Sequence, residues 1–532
     1  MAMRTTIFSR LIFMLGGVLL VAACSPEVQD SGSANAQAVA GVALDPYLMN
    51  ATVYIDTNNN AMLDSWEPRA LTDEDGYFSV GRDGTDYCAD SASENYKYCL
   101  LSFDSPRAII RVIGGYDSVT EEPFSGELST RMSEGDGAAT NVLSPLTTLM
   151  SHMSDTAVNT LASHLGVSAD QMGSDYFNYN DSTLDSVRGT LMSAGFQTMK
   201  TADVIAAALD NNYDAFGDNS DLPATTIGTV MQSIARQLDG QDNDLSNALS
   251  DSVFHQSVLQ QSESTVRQNL SDKDVTTPAA LDTGLVVQVA AQSGDLGATV
   301  GQMFRTTVTE SQAAARARAI ELAAIKLRED PQDSSADEAL VLAQQTGFLN
   351  SLENGDVDVK NLASAISDGM DTSDSSAITS MVNDHIITDY LPDDIIGSKL
   401  SGTNNPDAKD KGGAVFYFQG GSQGAERGEL VLCLRFDSAN NDEHDTTGAR
   451  FTGRWSRLNA YTLILDIKIA GSGQSSMLKS KRLDNNGVRH FVFDYNDDQG
   501  EWQSDIDFSP LASGEAVPSD DAGCKLVVPE PQ

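Results

Sequence analysis

Basic side chains are scarce. Lys and Arg number 33 against 76 Asp and Glu, a formal net charge of −43 over 532 residues. Nucleic-acid binding needs basic stripes that displace counterions, and adsorption on anionic lipid needs basic patches, so neither partner is expected. Such a surface suits a protein that stays soluble in salty or calcium-rich surroundings. It is equally the habit of proteins from marine or halophilic bacteria. Histidine is scarce too. The six (His152, His164, His255, His385, His444 and His490) are scattered, with no HExxH pair, GxSxG elbow or Walker loop. His385, beside an apolar helical stripe, is expected to be structural. Carboxylates are so numerous that a glycosidase pair neither stands out nor drops out. Cysteine is limited to five residues, and no close Cys/His spacing supports a zinc site.

The apolar run Leu11–Ala23 follows Arg4 and Arg10 and ends on small residues before Cys24. It falls short of the roughly 20 apolar residues that span a bilayer. A charged start, a short apolar run and a small-residue cut site make a secretory signal. Val21-Ala-Ala-Cys24 resembles the bacterial lipoprotein lipobox. That resemblance implies removal of residues 1–23, a lipid on Cys24 and a membrane partner reached through it. Ser25 in place of Asp implies the outer membrane, on its periplasmic side or at the cell surface.

With Cys24 set aside, Cys88, Cys99, Cys433 and Cys524 remain. Four cysteines allow three pairings; position favours the local ones, Cys88 with Cys99 and Cys433 with Cys524. The chain-entropy model assigns them roughly 3 and roughly 4.5 kcal/mol. Both need an oxidising compartment.

The chain reads as multidomain α+β. Residues 24–40 are small and polar, a flexible tether. Residues 41–135 alternate in the β manner (Ala51–Ile55, Gly76–Val80, Arg107–Ile113) between Gly, Asp and Asn clusters, as a small β-sandwich requires. Residues 140–395 turn helical. Thr309 and Gln312 form a capping box, and Ala313, Ala317, Ile320, Ala324 and Leu327 make one apolar stripe. Ile378, Met381, Val382 and Ile386 make another. Ser401–Gly413 reads as linker. Residues 412–528 form an antiparallel β-sandwich or barrel. On the strand Leu430–Phe436, Cys433 has the parity opposite to the apolar face, where a tail carrying Cys524 can reach it.

One motif carries chemistry. In Asp56-Thr-Asn-Asn-Asn-Ala-Met-Leu-Asp-Ser-Trp-Glu67, oxygen-bearing side chains stand at loop positions 1, 3, 5, 9 and 12. Ca²⁺ takes six to eight oxygens. Asp56, Asn58, Asn60, Asp64 and Glu67 are the candidate side-chain ligands, Met62 lends a carbonyl, and Leu63 faces inward. Position 6, ordinarily Gly at a sharp turn, is Ala61; a positive φ there costs roughly 1–2 kcal/mol. The expected affinity is that of extracellular modules, millimolar to submillimolar. A strand enters the loop and Pro68 follows it, so the ion would clamp a strand connection. The stretch Asp210–Asp221 has acids at similar offsets but no apolar residue at position 8.

The segment Gly41–Asp56, the loop, and Thr72-Asp-Glu-Asp-Gly-Tyr-Phe78 resemble carboxypeptidase-regulatory-like modules and the B-type modules of bacterial surface adhesins. The loop itself is similar to those of dockerins. Gly114-Gly-Tyr-Asp117 and Asn141-Val-Leu-Ser-Pro-Leu-Thr-Thr-Leu149 resemble a sequence that often succeeds such modules in bacterial envelope proteins and leads into a helical segment. The likeness covers about residues 41–165. It implies a calcium-stabilised sandwich in a non-catalytic envelope or cell-surface binding protein, its partner a polysaccharide or an envelope protein. In the C-terminal domain, Tyr417, Trp455, Trp502 and Phe508 with Arg450, Arg454, Arg457, Lys479, Lys481 and Arg482 are the candidate glycan surface. An accessory subunit of an outer-membrane machine and a polysaccharide-acting enzyme are the other readings.

Overall fold

The computed structural model describes residues 37–102, 108–133, 141–212, 226–239, 244–272, 279–305, 308–330, 334–353, 355, 357–367, 369–386, 398–404, 412–419, 427–436, 447–457, 462–469, 472–483, 489–495, 498–510, 517–519 and 523–524. The protein is mixed α and β, with small N-terminal sheets, a helical middle and a C-terminal antiparallel sheet. It divides into two compact units, one of them Ala34–Ile386 and the other centred on the C-terminal sheet. No helix among the described residues is long and apolar enough to cross a membrane.

In the first unit the strands are β1 Gln37–Ala38, β2 Gly41–Ala43, β3 Leu48–Met49, β4 Thr52–Asp56, β5 Arg69–Leu71, β6 Tyr77–Phe78, β7 Leu101–Ser102, β8 Ile109–Ile113, β9 Tyr116–Asp117, β10 Glu127–Arg131 and β11 Asn141–Leu143. They make a four-stranded sheet β10-β8-β4-β5, a three-stranded sheet β11-β2-β6 and two strand pairs, β1 with β7 and β3 with β9. The tether is therefore shorter than its composition suggests. Gln37 and Ala38 pair with Ser102 and Leu101, and Val39 is buried; backbone pairing captures residues with no apolar pattern of their own. Residues 24–36 lie outside the described residues.

The helices, thirteen among the described residues, are α1 Pro145–His152, α2 Asp155–Leu165, α3 Ala169–Met172, α4 Arg188–Asn212, α5 Thr226–Leu238, α6 Leu245–Ala248, α7 Ser252–Asp272, α8 Thr283–Met303, α9 Glu310–Glu329, α10 Ser334–Ala343, α11 Thr346–Glu353, α12 Val359–Ala365 and α13 Ser375–Asn383. The passage from sheet to helix is local chemistry. β11 pairs in parallel with β2, and Ser144 then caps α1. Its hydroxyl accepts from the Thr147 N–H while the Thr147 hydroxyl accepts from the Ser144 N–H, with Pro145 at the first helical position, where its missing N–H costs nothing. Thr309 and Gln312 make the expected capping box on α9, and all five residues of its stripe are buried. Ile378 and Val382 are buried, and His385 bonds the Met381 carbonyl through Nδ1.

Sheets and helices share one hydrophobic core, running from Val39 to Val382. Its axis is α4, which packs against α5, α8 and α9 and is buried nearly all round. Polar residues survive there because each is bonded: Thr198 and Thr201 donate to carbonyls one turn back, and Gln197 Nε2 donates to Gly297 O at 2.7 Å. Gly297 lets the chain at Leu249, just after α6, lie against α8. A Cβ there would stand 1.8 Å from the Leu249 carbonyl oxygen.

The second unit contains β12 Ser398–Asn404, β13 Gly412–Gln419, β14 Arg427–Phe436, β15 Thr447–Arg457, β16 Thr462–Ile469, β17 Ser472–Leu483, β18 Arg489–Tyr495 and β19 Asp498–Pro510. Each pairs antiparallel with the next, and β12 also pairs with β19. The stretch from Ser401 read as linker is corrected here: Ser398–Asn404 is the first strand, joined to β13 and β19. A strand bonded along both sides needs no strong apolar signal of its own. Val415, Tyr417, Val431 and Cys433 cluster with Cys524 from the tail, and the Cys433–Cys524 bond closes there with 5.0 Å between Cα atoms. Cys88 and Cys99 are likewise bonded.

Gly297→Ala should lower the unfolding free energy by about 3 kcal/mol, because overpacking forces backbone apart. An unchanged urea midpoint would show that the α8 contact relaxes freely.

Candidate functional site

The dodecapeptide Asp56–Glu67 connects β4 to β5, which pair antiparallel. Ile55 N–H donates to Pro68 O across its neck at 3.0 Å. Inside, the chain winds around its own oxygens. Asp56 Oδ1 accepts from Asn60 N at 3.2 Å and Oδ2 from Ala61 N at 3.0 Å. Asn58 Oδ1 accepts from Asn60 N, and Asn60 Oδ1 from Met62 N. The amides of Asn58 and Asn60 converge on Asp64 Oδ2 at 2.8 and 3.2 Å. Glu67 turns back: Oε1 accepts from Thr57 N at 2.9 Å and Oε2 from Asp64 N at 3.1 Å. Ala61 has φ +60° and Asn59 +55°, so position 6 makes the left-handed turn without glycine and carries the cost expected of it. Asp56 and Glu67 are buried, Leu63 is half-buried, and Trp66 projects outward with 62% of its surface exposed.

The donor set suits a hard cation: carboxylates, side-chain amides and carbonyls, with no thiol or imidazole. Among the described residues no three His, Cys, Asp or Glu side chains are gathered closely enough to hold a metal. Asp64 and Glu67 are spent instead on internal N–H groups.

The sheet beneath the loop supplies a partner that the sequence reading missed. β8 lies between β4 and β10, with Arg111 opposite Tyr54 and Ser129. Strand parity puts Tyr54, Asp56, Arg111, Glu127 and Ser129 on one face and Val53, Ile55, Ile110, Val112 and Leu128 on the other. Arg111 Nε donates to Asp56 Oδ2 at 2.7 Å, and Nη1 donates to Glu127. All three are buried. α1 covers part of this face, its Thr148 hydroxyl accepting from Ser129 N at 2.8 Å. Burial, with Arg111 nearby, pulls His152 down to about 4. The available signal was a single charge inside the apolar run Ile-Ile-Arg-Val-Ile.

A second polar assembly surrounds Lys200 on α4. Its Nζ lies 3.2 Å from Asp45, 3.0 Å from Glu321 and 3.7 Å from Asp203. Arg328 pairs with Asp203 at 3.2 Å and with Glu321 at 2.6 Å. With buried Asp117 beside them, four carboxylates face two cations. Burial outweighs Lys200 and pushes Asp45 up to about 7, and it raises Asp117 well above the usual carboxylate range. Burial also acts against Glu321, but Lys200 and Arg328 prevail and hold it down near about 2. The cavity among these groups, lined also by Thr120, Glu122 and Ser125, encloses about 20 Å³. That is room for about one water molecule.

The remaining candidates divide between described and undescribed residues. Cys24 lies outside the described residues, as does most of Asp210–Asp221; Asp210 itself accepts from the Thr226 hydroxyl. Tyr417 and Trp455 are buried, and Arg450 Nε donates to Pro518 O at 2.6 Å. These three are packing or bonded groups, not a presented surface. The side chains of Arg454, Arg457, Lys479, Lys481, Arg482, Trp502 and Phe508 are outside the description. Comparison with protein-family models, with curated proteins and with solved structures returns no match.

A carboxyl whose folded pKa stands above its unfolded one binds extra protons in the folded state between the two values. Its contribution is therefore fully present below about pH 4 and is lost as pH rises toward 7. Between pH 5 and 8 the protein should lose about 2–3 kcal/mol through Asp45, and Asp45→Asn should abolish most of that slope. Parallel pH profiles of the two proteins in urea unfolding would refute the assignment.

Proposed function

We propose that this chain is a lipid-anchored envelope protein of the binding or scaffolding kind, with calcium stiffening the loop Asp56–Glu67. One observation carries the reading: twelve residues wind so that positions 1, 3, 5, 9 and 12 turn oxygens inward and position 6 takes a positive φ. Asp56, Asn58, Asn60, Asp64, Glu67 and the Met62 carbonyl would hold the ion. Ion binding would replace the present bonds to Asp64 and Glu67. An ion in that loop neutralises acid and fixes the β4–β5 connection, which is structural work and not catalysis. The small sheets around it fit the regulatory-like sandwich expected from sequence. In the C-terminal unit we read the ring of eight strands, its first bonded to its last, as a barrel and not a sandwich.

The anchor is read from sequence alone: Cys24 carries lipid, Ser25 directs it to the outer membrane, and the two disulfides are consistent with export. A matrix polysaccharide or an envelope protein is the partner class. For the polysaccharide-acting enzyme, the buried carboxylate cluster that includes Asp45 is not the place, since it lines a cavity of about one water.

Calcium at about ten times its dissociation constant should raise the melting temperature of the full chain by about 3 °C. The full chain is the object to test, because residues 41–135 share their core with the helices. Asp56→Ala combined with Glu67→Ala should remove the response; an unchanged calcium shift in that variant would sink the loop assignment. Separately, Cys24→Ser should move the protein from the membrane fraction to the soluble one, and continued retention would place the anchor elsewhere.

A further inference from the structure

We propose that the buried Arg111–Glu127 pair sets the calcium affinity of the loop, although neither residue is a ligand. The inference rests on the calcium reading above. Arg111 Nε holds Asp56 by Oδ2, the oxygen that also accepts from Ala61 N. Oδ1 keeps one weaker donor, Asn60 N at 3.2 Å, and is the oxygen left for an ion. Arg111 therefore orients the position-1 carboxylate. It also brings a full positive charge against a residue that must coordinate a divalent cation.

Two like charges that close would repel strongly in a buried site. Glu127 cancels the Arg111 charge from the other side of the guanidinium. Asp56, Arg111 and Glu127 come from three adjacent strands, each buried to 5% exposure or less, so solvent cannot perform the screening. When Asp56 turns its charge to an ion, Glu127 alone neutralises Arg111. Glu127 thus acts at a distance: it lets Arg111 orient the ligand without repelling the ion. It also ties occupancy of the loop to the rest of the unit, since Glu127 begins the strand whose Ser129 accepts and donates bonds at α1.

Glu127→Gln isolates the charge. The amide oxygen still accepts from Arg111, and Asp56 still balances the guanidinium in the metal-free protein, so the fold should persist. The full chain, stripped with chelator, is titrated with calcium chloride by calorimetry, and its melting temperature is followed with and without calcium. Glu127→Gln should weaken calcium binding about tenfold or more. Arg111→Gln with Glu127→Gln, which removes both charges, should recover affinity to within about threefold of the parent by the logic of a double-mutant cycle. Should Glu127→Gln not fold, Glu127→Asp, which draws the charge back by one methylene, takes its place with a loss of about threefold. Unchanged affinity in the single variant, or a double variant as weak as the single, would overturn the proposal while leaving the calcium site standing. No heat and no melting shift in the parent protein would remove the calcium reading itself, and this one with it.

Discussion

The ammonium of Lys200 is enclosed in the middle of the first unit, and much of the architecture follows from having to neutralise it there. An unpaired buried charge costs several kcal/mol. Lys200 is answered by Asp45 just after β2, by Asp203 one turn along α4, and by Glu321 on α9, with Arg328 completing the lattice. These residues come from the strand layer, the central helix and a helix more than a hundred residues downstream. Such networks are weak evidence of net stability but fix relative position well. Here the network ties the strands to α4, which is why the sheets and helices are one body with one core.

The same device recurs at smaller scale on the sheet. Arg111 answers Asp56 and Glu127 across three strands, on a face otherwise capped by hydroxyls of α1. Both assemblies place cations among a larger number of carboxylates, Arg111 between two and Lys200 with Arg328 among four, in a chain that has few cations to spend. The strongly acidic composition is therefore not confined to the solvated surface. In the Lys200 cluster, burial drives Asp45 and Asp117 toward protonation, and neighbouring acid adds to it.

Much of this was legible in the sequence where periodicity or a cap signal is local. The α9 stripe, its capping box, the strand at Ala51–Ile55, the parity of Cys433 and the turn at Ala61 all depend on residues within a few positions of one another. The charge clusters were not legible, because the contacts that assemble them join distant positions, Asp56 to Arg111 across 55 residues and Asp45 to Lys200 across 155, and each looks like an ordinary charged residue on its own line. Arg111 in an apolar strand and Lys200 in an all-round buried helix were the only hints. The linker reading at Ser401 failed for a related reason: β12 is held by pairing on both sides, and pairing leaves no trace in its composition. The oxygen-bearing residues of the loop stood in the written order, but their bonding to internal N–H groups could be seen only in three dimensions.

Trp66 has a consequence of a different kind. The chain contains three tryptophans; Trp455 and Trp502 belong to the C-terminal unit, which leaves Trp66 as the sole indole of the first. It stands between Asp64 and Glu67, exposed to water. Its emission is therefore that of a solvated chromophore seated on the connection between β4 and β5. Trp455, enclosed near Phe418, emits from an apolar setting at shorter wavelength. The molecule thus carries its own optical label at the loop, readable by quenchers that reach water-exposed rings and not buried ones.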